Sequence, residues 1–304
     1  MTPSETSAPA PLTFRERHAS LIRQWRLYAH VFASSFSSML GLALVILFLF
    51  LAAFGPRLVP YPEHTTGGFD MANRLQPPSA EHWFGTDEMG SDIFSRVIVG
   101  ARTSLWIGLL ITGIGAGVGI PLGIIAGYKG GLVRACIMRV TELFLSVPGL
   151  ALALAIVAAL GPGITNCVLA LAIVWWPGYV RLLEAKTLSV KEELFVESAR
   201  SIGARTPWIL WHHILPNCWS PIIVKMSMDM GLAILSAASL GFIGLGARPP
   251  APEWGAMISV ARSYMPDWWW YSFFPGAAIF LTVLGFNLLG DGLRDILDPR
   301  SRER

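Results

Sequence analysis

The chain has 304 residues, 53% of them hydrophobic and only 14% charged, with a formal net charge of +3 and a mean hydropathy of +0.54. A soluble domain carries about 25% charged residues, so this composition excludes a soluble globular protein. The small positive excess makes no nucleic-acid patch, because the basic residues sit where a membrane topology puts them.

Residues 1–11 are rich in Ser, Thr, Pro and Ala and lack the apolar side chains a packed segment needs. Over 14–32 the chain is basic and amphipathic, with Trp25 and Tyr28 near a membrane boundary. An interfacial helix and a simple flanking anchor both fit this pattern. Six apolar blocks follow, at 35–55, 104–127, 135–160, 164–183, 222–245 and 271–289. Each approaches the roughly 20 residues a helix needs to cross a bilayer. They are continuously apolar and do not alternate, which selects helices over barrel strands and an all-α fold. The first block starts too late and runs too long for the apolar core of a signal peptide.

Lys and Arg set the orientation. They concentrate in the N-terminal tail (Arg15, Arg17, Arg23, Arg26), after span 2 (Lys129, Arg134, Arg139), between spans 4 and 5 (Arg181, Lys186, Lys191, Arg200, Arg205) and in the C-terminal tail (Arg294, Arg300, Arg302, Arg304). The opposite side holds Arg57, Arg74, Arg96, Arg102, Arg248 and Arg262. Both termini are therefore expected in the cytoplasm. The chain divides into a cytoplasmic tail at 1–32, a first span with its outer loop at 33–103, a five-helix core at 104–292 and a C-terminal tail at 293–304. The core contains a cytoplasmic loop at 185–218.

In span 2, Gly115, Gly119, Gly123 and Gly127 recur every four residues and form one stripe that permits close approach of another helix. Packing within the subunit and packing between subunits both remain open. The outer loops, 56–101 and 247–270, face the side from which a solute would arrive. Trp268, Trp269 and Trp270 read as an interfacial aromatic belt.

Few charges enter the spans. Lys225 and Asp229 are i, i+4 in span 5 and can pair along one helix face. They are candidates for a polar pathway, with a snorkelling lysine as the alternative. Arg139 and Glu142, near the start of span 3, are i, i+3. Cys136, Cys167 and Cys218 are scattered and read as packing residues, with no disulfide framework and no metal site. His212 and His213 are adjacent and point about 100° apart on a helix, a poor chelate. The chain holds no Gly-Lys pair and so no phosphate loop, and no Ser/His/Asp set. No catalytic residue is proposed.

The cytoplasmic stretch 197–217 has the composition of a soluble protein. Glu197 to Ile202 can form one short helix ended by Gly203 at positive φ. Thr206 is read as the cap of a second helix with Pro207 at its first position and Pro216 at its end. Trp208, Ile209, Trp211 and Ile214 give that second helix an apolar side.

These residues resemble the E-A-A-x-x-x-G-x₉-I-x-L-P motif of bacterial ABC-type importer permeases. Glu197, Ala199, Gly203, Ile214, Leu215 and Pro216 match it, with Ser198 for the first alanine and Ala204 after the glycine. Other blocks resemble the C-type permease subunits of the dipeptide/oligopeptide/nickel group. They are Phe84-Gly85-Thr86-Asp87 with Gly90, Asp92, Ser95 and Arg96, then Gly100-Ala101-Arg102-Thr103-Ser104-Leu105. Ser239-Leu240-Gly241-Phe242-Ile243-Gly244-Leu245-Gly246 follows, running into Pro249-Pro250-Ala251-Pro252-Glu253-Trp254-Gly255. The last is Asn287-Leu288-Leu289-Gly290-Asp291-Gly292-Leu293-Arg294-Asp295 with Leu297-Asp298-Pro299-Arg300. Ser91 departs from the group, where arginine is usual.

The resemblance implies a type I ABC importer permease fold with six spans in the bacterial inner membrane, and a function as half of a heterodimeric pore. Its implied partners are a homologous second permease subunit, two cytoplasmic ATP-binding subunits and an extracytoplasmic solute-binding protein. ATP and Mg would be bound on the ATPase subunits, and no cofactor by this chain. The 197–216 loop would be the coupling helix seated in a cleft of the ATPase. Implied solutes are dipeptides, oligopeptides, glutathione, nickel chelates and opine-type conjugates. The competing readings are a self-sufficient secondary carrier or channel, for which more buried carboxylates and paired broken helices are expected, and an intramembrane hydrolase.

Overall fold

The structure, a computed structural model, describes residues 30–248 and 250–297. The amphipathic segment expected over 14–32 falls outside the described residues except for its last three, as do Pro249 and the terminal stretch 298–304.

Nine helices carry the fold among the described residues: α1 (Phe36–Leu58), α2 (Ile93–Lys129), α3 (Gly131–Leu145), α4 (Gly149–Leu160), α5 (Ile164–Val190), α6 (Leu194–Ser201), α7 (Thr206–Phe242), α8 (Trp254–Ala261) and α9 (Trp269–Leu297). Five of them (α1, α2, α5, α7 and α9) are long and apolar enough to cross a membrane. The block at 135–160, expected as one straight span, is instead the pair α3 and α4, bent by 83°. The break falls at Ser146–Pro148, where a proline cannot donate into the helix and drives the preceding Val147 out of the helical region. Taken as one broken span, the pair makes the sixth crossing. Helix α2 runs 37 residues and starts eleven earlier than the apolar block at 104, because Asp92 caps it from the outer loop. The Asp92 carboxylate accepts from the Ser95 amide at 2.8 Å and the Ser95 hydroxyl at 2.7 Å.

The glycine stripe of α2 faces α5 of the same subunit. A methyl group on Gly119 would sit 2.4 Å from the Trp176 carbonyl oxygen. One on Gly123 would sit 2.7 Å from Val180 O, and one on Gly127 2.7 Å from Glu184 O. Gly115 meets the Trp175 Cβ at 2.9 Å. Partner positions rise in step along both helices, so α2 and α5 run in the same direction, backbone against backbone. Helices α1 and α9 make an antiparallel counterpart, where Gly41 meets Leu288 and Leu289 and Gly285 meets Leu44.

Three apolar clusters fill the bundle from outside to inside. The outer one joins α1, α2, α7, α8 and α9 around Trp254, whose indole N–H donates to Val97 O at 2.9 Å. A middle one joins α2, α4, α5 and α7, and a cytoplasmic one lies under the α6–α7 hairpin. The 59–92 loop is closely folded. His82 Nδ1 lies 3.0 Å from Asp92 Oδ1, and the Asp92 amide donates to His64 Nδ1 at 3.0 Å. Asp87 accepts from the Met89 and Ser91 amides at 2.9 and 2.7 Å and faces Arg96 at 3.6 Å. Burial nonetheless holds the Asp87 carboxyl above the usual carboxylate range. Ser91 is buried, and its hydroxyl donates to Gly68 O. The aromatic belt expected at Trp268–Trp270 is only partly a belt: Trp269 is exposed, whereas Trp270 is buried against Gly85. Cys167 and Cys218 are buried, but Cys136, expected as a packing residue, is exposed on α3.

The α2–α5 contact yields a paired prediction. Gly119→Leu puts a side chain where only 2.4 Å is free and should lower thermal stability in detergent by about 1–3 kcal/mol. Gly117→Ala, where nothing lies within 4 Å, should unfold with the wild type. Equal melting of the two variants would contradict the packing role.

Candidate functional site

The 185–218 loop is a helical hairpin. Helix α6 ends in a glycine-based cap: the Gly203 amide donates to Arg200 O at 3.0 Å and the Ala204 amide to Ala199 O at 3.1 Å. These are the two bonds of a Schellman motif, with Gly203 at φ +82° in the left-handed region that glycine alone occupies without cost. Glu197 and Ser198 are exposed; Val196 and Ala199 point inward, 0% and 6% exposed. The glutamate, the alanine and the glycine of the motif thus do different things: one faces out, one packs, and one turns the chain.

The return helix departs from expectation in two ways. Arg205 occupies the cap position without a side-chain cap bond, so Thr206 and Pro207 are the first two helical residues. Pro216 does not end the helix. The chain passes through a π turn at Leu210–Ile214 and continues as one 37-residue helix to Phe242. A wider turn relieves the clash that a proline ring makes with the carbonyl four residues earlier. The Asn217 side-chain amide donates to His213 O at 2.7 Å and provides for one carbonyl of that turn. The hairpin is therefore joined to a membrane span by continuous helix.

Ile209 and Ile214 are fully buried beside Val196 and Ala199, under Val190 and Ile124 of α5 and α2. Leu215 and Ala204 are half-buried at the margin of this cluster, and Pro216 is exposed. His212 stacks on Trp208 with ring centroids 4.7 Å apart, and His213 lies between Trp208 and Phe195. These histidines fasten the hairpin, and the described residues contain no cluster of three or more metal-ligating side chains. Arg200 lies over the Tyr128 ring at the end of α2, 5.4 Å from its centroid. Large apolar side chains are exposed on the hairpin beside Glu197 and Ser198: Ile202 at the turn is 84% exposed, and Leu194 and Trp211, away from the turn, are 78% and 68% exposed. Exposed large apolar side chains on a packed helical support suit an interaction surface.

Deeper in the bundle, Lys225 Nζ lies 3.1 Å from Asp229 Oδ2 and donates to Oδ1 at 3.2 Å. The ammonium also sits over the Tyr179 ring, 4.9 Å from its centroid, and beside Gly178 of α5. Lys225 stands about five turns into α7. Arg139 and Glu142 form only an exposed pair at 3.4 Å on α3. One ion pair was not anticipated from the sequence: Arg134 of α3 and Glu184 of α5, at 2.5 Å, with Glu184 7% exposed. The charge alternation along each helix gives no hint of it, because the two residues lie 50 apart and meet only where α3 packs on α5.

Five apolar helices with a sixth, broken crossing, a cytoplasmic hairpin and a polar pair inside a span describe a polytopic membrane protein. Residues 119–303 match the family described as binding-protein-dependent transport system inner membrane component, and residues 23–78 match the N-terminal transmembrane domain of oligopeptide transport permease C. The chain is 48% identical over 258 residues to the probable D,D-dipeptide transport system permease protein DdpC of Escherichia coli, covering 85% of this chain and 86% of the relative. It is 43% identical over 302 residues to the dipeptide transport system permease protein DppC of Alkalihalophilus pseudofirmus, covering 99% and 97%. Its fold matches a chain of the MetNI methionine ABC transporter solved in inward-facing conformations, with a TM-score of 0.55 at 15% identity over 68% of this chain and 98% of that one. The chain belongs to the binding-protein-dependent transport system inner membrane components, and has the type I importer permease fold.

The cap geometry makes a local prediction. Gly203→Val forces a branched residue into the left-handed region, at a cost of about 1–2 kcal/mol. Amide exchange in α6 should speed up while exchange in α2 and α5 stays unchanged; unchanged α6 protection would contradict the capping role.

Proposed function

We propose that this subunit forms half of a heterodimeric pore with a homologous second permease, and that two cytoplasmic ATPase subunits drive it through the 185–218 hairpin. ATP and Mg are then bound on those subunits, and this chain, without a phosphate loop, performs no hydrolysis. Loaded binding protein docks on the outer loops. The observation that carries this reading is the hairpin: a turn with Ile202 and Glu197 exposed, held on a Schellman cap and continuous with α7. Displacement of such a turn moves a whole span, which is what coupling nucleotide-driven closure to alternating access requires.

Short peptides are the proposed solute class, supported by the dipeptide names of two relatives. Lys225 and Asp229 are proposed to face the pathway, since an ionisable pair within a span, with the Lys225 side chain 27% exposed, marks a route that water or a polar solute reaches. The self-sufficient carrier reading is weaker: among the described residues, buried carboxylates inside the spans are confined to Glu184 and Asp229, and each is paired with a base.

The test is energisation. Glu197→Lys should abolish co-purification of the ATPases and reduce uptake to background while membrane insertion stays normal. Retained uptake in that variant, or in cells lacking the binding protein, would overturn the proposal.

A further inference from the structure

The cytoplasmic halves of α5, α7 and α9 leave a crevice of about 720 Å³ between them. Its polar lining is Lys186 of α5, Asn217, Ser220, Lys225 and Asp229 of α7, and Arg294 of α9, set among apolar side chains such as Leu182, Val224 and Met228. Asp229 is 5% exposed and its carboxylate is engaged by Lys225. One Asn217 amide N–H goes to His213 O and the Ser220 hydroxyl donates to Leu297 O. Lys186 and Arg294 are exposed, and among the described residues neither forms an ion pair with a carboxylate. Among the described residues that line it, the crevice therefore carries three cations against one carboxylate, and the Lys225 ammonium, with its side chain 27% exposed, keeps donor capacity toward the open side. The other flanks of that ammonium are closed by the Tyr179 ring and Gly178, where a methyl would come within 3.3 Å of Nζ.

We propose that this crevice is an oxyanion site that receives the terminal carboxylate of the solute on its way into the cytoplasm. The inference rests on the pathway reading of Lys225 and Asp229. Two exposed cations at the rim and one half-buried cation further up form an electropositive track along which a carboxylate can exchange partners. Asp229 neutralises Lys225 when the site is empty, and so keeps the deepest cation from trapping the anion. An anionic lipid headgroup offers the same chemistry from a different source, and the apolar walls would accept its acyl chain, so vesicles of defined lipid composition separate the two.

The experiment uses the complete importer reconstituted in vesicles, with solute-loaded binding protein at saturation. Uptake of a labelled dipeptide is compared with uptake of the same dipeptide as its C-terminal amide, for the wild type and for Lys186→Gln combined with Arg294→Gln. The acid-to-amide ratio should fall about fivefold in vesicles of purely zwitterionic lipid and in vesicles containing anionic lipid alike. An unchanged ratio overturns the proposal, and so does a fall confined to anionic vesicles, which would assign the cations to a headgroup. A second readout separates this from the pathway reading: labelling of Ser220→Cys, in a Cys136→Ser background, by an impermeant thiol reagent from the cytoplasmic side. Slowed labelling during turnover with either peptide, beside an unchanged ratio, keeps the pathway and removes the carboxylate site. Labelling indifferent to both peptides removes both.

Discussion

The backbone-to-backbone contact between α2 and α5 is the constraint from which the cytoplasmic half of the molecule follows. Four glycines spaced by four remove every side chain from one face of α2, so carbonyl oxygens of α5 stand where Cβ atoms would otherwise be. Inside a bilayer the hydrophobic effect does not drive helices together, and close packing of this kind must supply the attraction instead. Because the two helices run parallel, their cytoplasmic ends finish side by side. That shared end carries Ile124, Leu183 and Val190, the apolar floor on which Val196, Ala199, Ile209 and Ile214 rest. Helix α3, packed on α5, brings Arg134 to Glu184.

The hairpin is consequently stiff at its base and exposed at its tip. Its stiffness comes from the Gly203 cap, the apolar floor and the stacking of Trp208 with His212. Continuity through the π turn makes α7 a lever: it begins in the cytoplasm at Thr206, passes the Lys225–Asp229 pair and ends at Phe242 beneath the outer loops. The return arm of the hairpin and the polar pair thus lie on one continuous helix. On the outer side, the buried Glu253 carboxylate caps α8 with two 2.8 Å bonds, and the α8 residue Trp254 is tied to α2 through Val97. Burial raises the Glu253 pKa although both amide bonds favour its charged form.

Much of this was legible in the sequence, for identifiable reasons. Spans are visible because a bilayer demands about 20 consecutive apolar residues. The glycine stripe is visible because its spacing matches the helical repeat, and Gly203 because the left-handed region has few other occupants. The subunit on which the stripe packs was not legible, since spacing describes one helix and says nothing about its neighbour. The break at Pro148 was hidden inside an apolar block whose composition does not change across it. Pro216 misled in the opposite direction: proline normally marks an end, and only the surrounding π turn lets the helix run through it. The Arg134–Glu184 pair and the basic crevice were invisible because their members come together only in three dimensions.

The central claim is that the exposed tip of the hairpin is the surface that receives work from an ATPase. A photo-crosslinking residue at Ile202, 84% exposed at that tip, tests it in the intact importer. The account predicts a crosslink to an ATPase subunit whose yield changes between nucleotide-free and ATP-bound states. A crosslink to lipid alone, in complexes from which the ATPase still co-purifies, would contradict it.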